Sequence, residues 1–256
     1  MPTMLYALLI LVVFVTSTLS GVLGMAGGMI LMAVLAITLP ITAAMMLHGA
    51  VQLTANGSRA WFLREHVQWT VLPWYALGAL IVLGAFTALV LVPNAGLVLL
   101  LIGLFSLGAR FSSRFARLDM TNPVTAMSCG IIVTTAQLLA GASGPLLDVF
   151  YLNSTLTRHA VVANKALTQA LGHTIKIAYY GLVVGTRYSA TEGTFSDVLP
   201  PVFVAIALGA ALLGTRAGTR LLDHINEERF RYWSGFIITG IAVICVLQGT
   251  WILWRP

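Results

Sequence analysis

Charge is scarce in this chain. Of its 256 residues only 9% are Asp, Glu, Lys or Arg, while 59% are hydrophobic and the mean hydropathy is +0.93. A soluble domain does not carry so little charge on its surface, so a water-borne protein is excluded and an integral membrane protein is indicated. Cysteine is nearly absent: Cys129 and Cys245 stand apart in apolar sequence with no C-x-x-C pair, which argues against thiol-redox transport and against a cysteine zinc site. No G-x-x-x-x-G-K-[ST] run occurs, so ATP is not hydrolysed by this chain, and nothing calls for a cofactor or a metal. The amino end, MPTMLYALLILVVFVTSTLSGVLG, lacks a basic n-region and runs on into apolar sequence, so it is read as a retained span rather than a cleaved leader. No polar stretch is long enough for a separate soluble domain. The net charge of +6 reflects arginines in membrane-flanking loops rather than a nucleic-acid partner.

What is present is a succession of apolar segments, at about 4–39, 42–63, 67–92 and 95–111, then 123–156, 159–184, 199–215 and 232–252. These eight segments span ~30 Å of hydrocarbon where they reach roughly 20 residues. A weak internal repeat relates the two sets at an offset of 117 positions. It pairs Gly24 with Gly141, Gly27 with Gly144, His48 with Lys165, Gln52 with Gln169, Asn56 with His173 and Arg59 with Lys176. Small residues fall on small ones and polar intramembrane positions on polar ones. The expected organisation is therefore one membrane domain in two halves, residues 1–118 and 119–256.

The first segment of each half is too long for one crossing and carries a glycine cluster near its middle, at Gly24, Gly27 and Gly28 or at Gly141 and Gly144. Each is read as a broken helix, either continuing across the membrane or returning as a hairpin. Positive charge decides between these, because cytoplasmic loops gather Lys and Arg. With two hairpins the inside holds Arg59, Arg64, Arg110, Arg114, Arg117, Arg158, Arg216, Arg220, Arg229 and Arg231, leaving Arg187 and Arg255 outside. With two crossings Arg158 and the four arginines of 216–231 move outside and the asymmetry fades. Hairpins are favoured. Each half then crosses an odd number of times, which predicts an all-α polytopic protein of two inverted repeats, each a broken or re-entrant hairpin plus three transmembrane helices, with both termini outside.

Glycine clusters in membrane helices commonly serve close packing. Two clusters at equivalent repeat positions suggest more: paired breaks, each opening a half-helix near Gly28 or Pro145 whose unpaired N–H groups favour an anion. The following segment of each half carries one polar stripe, His48, Gln52, Asn56 and Arg59 in the first and Lys165, Gln169, His173 and Lys176 in the second. Spacings of i, i+4, i+8 and i+11 confine each stripe to an arc of about 80°. In one reading Arg59 and Lys176 snorkel to the two interfaces and Gln52 and Asn56 tie helices together. In the other the stripes line a pathway. Lys165, two turns into its segment, needs a partner or a ligand, and Asp148 supplies either a structural ion pair or a proton carrier. His48 and His173 are candidate proton shuttles or neutral interhelical hydrogen bonders. Ser143, in G-x-S-G and thirty residues before His173, also fits an intramembrane serine hydrolase. Against that, the position equivalent to Ser143 is Ala26, so the paired breaks need no hydroxyl.

The runs GVLGMAGGMI and HGAVQLTANGSRAWFLREHVQW, with LAGASGP and RHAVVANKALTQALGHTIKIAYYG in the second half, resemble the TauE/SafE sulfite-exporter family over nearly the whole chain. The resemblance implies transport of sulfite, sulfonates or similar small anions across the cytoplasmic membrane of a prokaryote. With no nucleotide-binding motif, a proton or sodium gradient is the candidate coupling partner. Members of the family commonly carry a richer glycine run where this chain has Pro145 and Asp148.

The leading expectation is thus a secondary transporter in a lipid bilayer. Gly24, Gly27, Gly28, Gly141, Ser143 and Gly144 would supply donors to a small anion, and Gln52, Asn56, Lys165 and Gln169 would orient it. His48, Asp148 and His173 would serve coupling or gating. An anion channel shares these features, and the hydrolase built on Ser143 and His173 is the remote alternative.

Overall fold

The computed structural model describes residues 3–23, 26–112, 118–151, 156–186, 195–222 and 227–255. Its regular structure is entirely helical among those residues. In chain order the helices are α1 (Thr3–Leu23), α2 (Ala26–Thr38), α3 (Ile41–Phe62), α4 (Leu72–Leu89), α5 (Ala95–Ser112), α6 (Pro123–Ala140), α7 (Gly144–Tyr151), α8 (Arg158–Ala178), α9 (Pro201–Leu222) and α10 (Glu227–Trp254). A short 3₁₀ turn, Arg64–His66, follows α3, a π-helical run, Tyr179–Val184, extends α8, and one turn, Phe195–Val198, precedes α9. Both long first segments are broken as expected, between α1 and α2 and between α6 and α7. Helices α9 and α10 run beyond the apolar segments 199–215 and 232–252, because arginine and glutamate are good helix formers and hydropathy marks the lipid boundary, not the helix end.

Local chemistry sets the ends. Asn122 caps α6, its Oδ1 accepting from Val124 N at 2.9 Å, with Pro123 in the first turn where no N–H is needed. Asn94 Oδ1 accepts from Leu97 N at 2.8 Å at the start of α5, and the Thr157 hydroxyl accepts from Ala160 N at the start of α8. Helix α6 stops at Gly141, whose φ of 71° is left-handed and cheap only for glycine.

Among the described residues five helices are long and apolar enough to cross a membrane, at Met4–Val22, Leu72–Leu89, Pro123–Ala140, Pro201–Leu221 and Phe236–Trp254. They lie in α1, α4, α6, α9 and α10. Their outward faces carry exposed Leu8, Leu11, Ile81, Ile206, Ile244 and Leu247, the surface that lipid covers. The protein is therefore a multi-pass membrane protein. Exposed Trp61, Trp69, Trp74, Trp251 and Trp254 cluster at helix ends, as aromatic residues do at the headgroup level. The guanidinium of Arg64 lies 5.1 Å from the Trp61 ring and that of Arg255 4.3 Å from the Trp251 ring. Helices α3 and α8 have the length to cross, roughly 30 Å at 1.5 Å per residue. They fail the apolar test because of their polar stripes.

Packing relates α1–α5 to α6–α10 by exchange. Helix α1 packs on α9 while α6 packs on α4; α2 touches α10 while α7 touches α5; α3 packs on α8 and α5 on α10. The pair α3 and α8 is antiparallel, with Gly49 against Ile177 and Gly181 against Met46. The pair α5 and α10 is antiparallel too, with Gly96 against Leu253 and Gly103 against Val246. Two exchanged pairs are parallel: in α1 and α9 Phe14 meets Gly214 and Thr18 meets Gly218, and in α4 and α6 Gly78 meets Met127 and Ile131 while, further along both helices, Phe86 O and Leu138 O accept from the hydroxyls of adjacent Tyr179 and Tyr180. At the first break α2 folds back on α1, placing Gly27 against the Thr16 carbonyl and Ser20. A buried core of Met29, Leu31, Leu35, Leu47, Ile102 and Leu147 runs between α2, α3, α5 and α7.

At Gly130 an added Cβ would overlap the Tyr75 carbonyl, whereas at Gly84 it would meet nothing within 4 Å. Gly130→Ala is therefore expected to cost about 1–3 kcal/mol through overpacking of α4 on α6. Gly84→Ala is expected to leave stability equal or higher, since alanine is favoured over glycine in a helix by about 1 kcal/mol. Thermal unfolding in detergent micelles checks the pair; equal melting temperatures for both variants would contradict the close packing of α4 and α6.

Candidate functional site

The two polar stripes meet because α3 and α8 pack antiparallel, and the two breaks bring the starts of α2 and α7 onto them. Between these four helices lies a cavity of about 150 Å³, room for several waters or one small polyatomic ion. Its wall includes Gly28 and Met29 from α2, His48, Gln52, Asn56 and Arg59 from α3, Ala142, Ser143 and Gly144 at the second break, and Val162, Lys165, Ala166, Gln169 and His173 from α8. Both halves contribute, and every stripe residue but Lys176 is on the wall.

Of the sequence candidates, Gly28, His48, Gln52, Asn56, Ser143, Gly144, Lys165, Gln169 and His173 thus come together. Gly27 does not reach this wall, being packed against Thr16 and Ser20. Gly141 lies behind it, against Met32 and Met45, and offers a carbonyl rather than a donor. Asp148 is drawn into an ion pair with Lys165 and is absent from the wall. Gly24 lies outside the described residues.

The hydrogen bonds fix most of these groups. His48 Nε2 lies 2.9 Å from Gly28 O, and His48 Nδ1 lies 2.7 Å from Lys176 Nζ. Lys176 Nζ also donates to Gly141 O at 2.8 Å. On the other side Gln137 Nε2 approaches His173 Nδ1 at 2.7 Å, and Ser143 Oγ donates to Gln137 Oε1. Gln169 Nε2 donates to Ser143 Oγ at 3.4 Å, and Asn56 Nδ2 donates to Gln52 O at 3.0 Å. The rings of His48 and His173 lie 5.5 Å apart. Ser143 therefore gives its proton to an amide, with Gln137 standing between it and His173. That arrangement positions the serine as part of a frame and leaves it without the histidine contact that activates a nucleophile.

Two outer stripe residues differ from the snorkelling expectation. Lys176 has no exposed surface and points to the centre, because the carbonyl freed at the break after α6 and the ring of His48 accept its hydrogens there. Gly49 leaves the space this needs: an added Cβ would sit 3.3 Å from Lys176 Cε. Arg59 lines the cavity and its guanidinium has no hydrogen-bond or ion-pair partner among the described residues. The signal for both was legible in the repeat, where they occupy equivalent positions. Gln137 gave less: its equivalent is Ser20, and a lone glutamine in an apolar helix reads as interhelical glue.

Chemically the wall offers one guanidinium unpaired among the described residues, one ammonium shared with a carboxylate, three carboxamides and the first turns of two helices, where N–H groups lack intrahelical acceptors. No group of three or more His, Cys, Asp or Glu suited to a metal occurs among the described residues. Cationic groups outnumber carboxylates here, a donor set that suits an anion better than a cation.

Comparison with protein families gives a match to the sulfite exporter TauE/SafE family over residues 9–245. The match covers nearly the whole chain, and the chain belongs to that family. No curated protein and no solved structure matches it.

Gln137 is buried, and both Ser143 and His173 rely on it. Gln137→Leu leaves the two groups short of a partner, at a cost of about 1–3 kcal/mol for each unsatisfied group. A fall in melting temperature is expected; an unchanged one would show that the carboxamide does not hold the frame.

Proposed function

We propose that this member of the TauE/SafE family is a secondary transporter that carries a small sulfur-containing or organic anion, of the sulfite or sulfonate kind, across the prokaryotic cytoplasmic membrane. The observation that carries this reading is the guanidinium of Arg59, without a partner among the described residues, in a cavity shared by both halves. An unpaired cation inside a membrane protein is costly and marks a ligand or a pathway. Lys165 adds a second cation, and Gln52, Asn56 and Gln169 add neutral polar groups suited to orienting oxygens of the ligand.

Residues 1–118 and 119–256 act as inverted halves, each with a hairpin and three crossings, α3 and α8 included. Three contacts support this: equivalent helices α3 and α8 pack antiparallel, so do α5 and α10, and two exchanged pairs are parallel. Two halves inserted in the same orientation would make equivalent helices parallel. In inverted-repeat transporters the substrate lies where broken helices meet, and rocking of the halves opens it to each side in turn. The cavity at α2, α3, α7 and α8 has that position. The free energy for transport comes from ion or substrate gradients, with no nucleotide.

Thermal-shift titration of purified protein with sulfite, sulfate, methanesulfonate and small carboxylates tests the reading, followed by saturable uptake into proteoliposomes. At least one oxyanion is expected to stabilise the protein. Arg59→Gln weakens its binding about 10- to 100-fold, since a hydrogen bond to a charged group is worth about 1.5–3 kcal/mol. Asp148→Asn frees Lys165 from its ion pair and strengthens the same binding. No stabilisation by any anion, or full affinity in Arg59→Gln, would overturn the assignment; conductance that never saturates would mark a channel instead.

A further inference from the structure

The group at the back of the cavity is more specific than a positive charge. Lys176 Nζ is wholly buried, and its two partners among the described residues are Gly141 O and His48 Nδ1. Asp148 is engaged by Lys165, and no carboxylate stands among the described partners of Lys176. A buried cation without a counter-ion costs several kcal/mol.

The hydrogens at His48 follow from the acceptors around it. A carbonyl oxygen only accepts, so His48 Nε2, at 2.9 Å from Gly28 O, carries a hydrogen. His48 Nδ1 therefore faces Lys176 Nζ across 2.7 Å, a gap with room for one hydrogen. The ammonium donates to a bare Nδ1, an imidazolium donates to a neutral amine, or, with one proton fewer, the neutral amine donates to a bare Nδ1. The pair thus carries a charge of zero or one and never two. It is a single proton site shared by two residues.

The surroundings contribute no other acid or base to that gap. Helix α2 presents the Gly28 carbonyl and α6 the Gly141 carbonyl, with Gln137 turned to His173. From α8, His173 lies 5.5 Å from His48 ring to ring, and Lys165 is engaged with Asp148 of α7. Further along α3, Arg59 faces the cavity. From the π-helical run, the Tyr179 hydroxyl donates to Leu91 O and the Tyr180 hydroxyl to Leu138 O. His48 itself lines the cavity, so an anion there lies beside the pair.

We infer that the His48–Lys176 pair binds one proton together with each anion, so that a singly charged anion and its proton enter the cavity as a neutral couple and the transported anion is proton-coupled. This rests on the anion site proposed above and deepens it. The step balances: in the uncharged pair the Lys176 amine donates its two hydrogens to Gly141 O and His48 Nδ1, a proton from buffered water adds to the remaining Nζ lone pair, and one negative charge enters beside it. Each stabilises the other in a medium of low dielectric, and each leaves more easily once the other has gone. The sign follows from linkage. The occupied site holds more protons than the empty one, so anion affinity rises as pH falls, by up to about tenfold per pH unit for one linked proton.

The test is calorimetric titration of the purified full chain with sulfate and methanesulfonate, which keep their own charge through the neutral range, in buffers of differing ionisation heat. The expected result is uptake of about one proton per bound anion. Lys176→Met abolishes the uptake and weakens binding, and Lys176→Arg, which keeps its proton, binds the anion without uptake. Lys165→Met weakens binding while each bound anion still brings its proton. Anion binding by the unaltered protein with no proton uptake overturns this inference and leaves the anion site standing. Binding of neither anion overturns both. Uptake that persists in Lys176→Met places the proton elsewhere and also overturns the inference.

Discussion

The structure is organised around one constraint: Lys176 is buried in a membrane protein with no described acid to neutralise it. What holds it is a strut of polar atoms, Gly28 O to His48, His48 to Lys176, and Lys176 to Gly141 O. The first two residues belong to one half and the last two to the other. A helix that ran straight through residue 141 would give that carbonyl to its own i+4 amide; the break after α6 releases it. Gly49 allows α3 close enough to α8 for the contact to form. The breaks and the central antiparallel pair are thus parts of one arrangement, and the cavity is the space they leave.

The periphery has a different character. Around the centre, α1 packs on α9 and α6 on α4 through glycine-rich faces that let backbones touch, the kind of contact that substitutes for the hydrophobic effect where lipid is already apolar. Polar groups are concentrated on α3, α8 and the breaks, and apolar side chains face outward. Rigid outer pairs with a polar seam between them suit a motion in which the halves rock and the seam is solvated from alternate sides. Arg59 gives that seam positive charge, and the His48–Lys176 pair adds to it on taking up a proton, so the seam suits the anion we propose as its occupant.

Much of this was legible in the sequence. The glycine clusters located both breaks, and the stripes His48 to Arg59 and Lys165 to His173 named half of the cavity wall, because helical spacing fixes which residues share a face. What the sequence obscured was direction along the membrane normal. Lys176 reads as a snorkelling residue when only its distance from the end of the apolar segment is known; its inward course depends on a carbonyl thirty-five residues earlier. Asp148 next to Lys165 was legible as a pair, since both lie near the second break. Gln137 was hidden because its function depends on Ser143 and His173, which only the tertiary fold brings to it.

The central claim is that the cavity between α2, α3, α7 and α8 holds a small oxyanion. Crystals grown with selenite, the heavier analogue of sulfite, locate such an ion directly by anomalous scattering. The account predicts one strong selenium peak within hydrogen-bond reach of Arg59, beside Ser143 and Lys165. A well-ordered cavity with no peak, or a peak bound only at the protein surface, would contradict it.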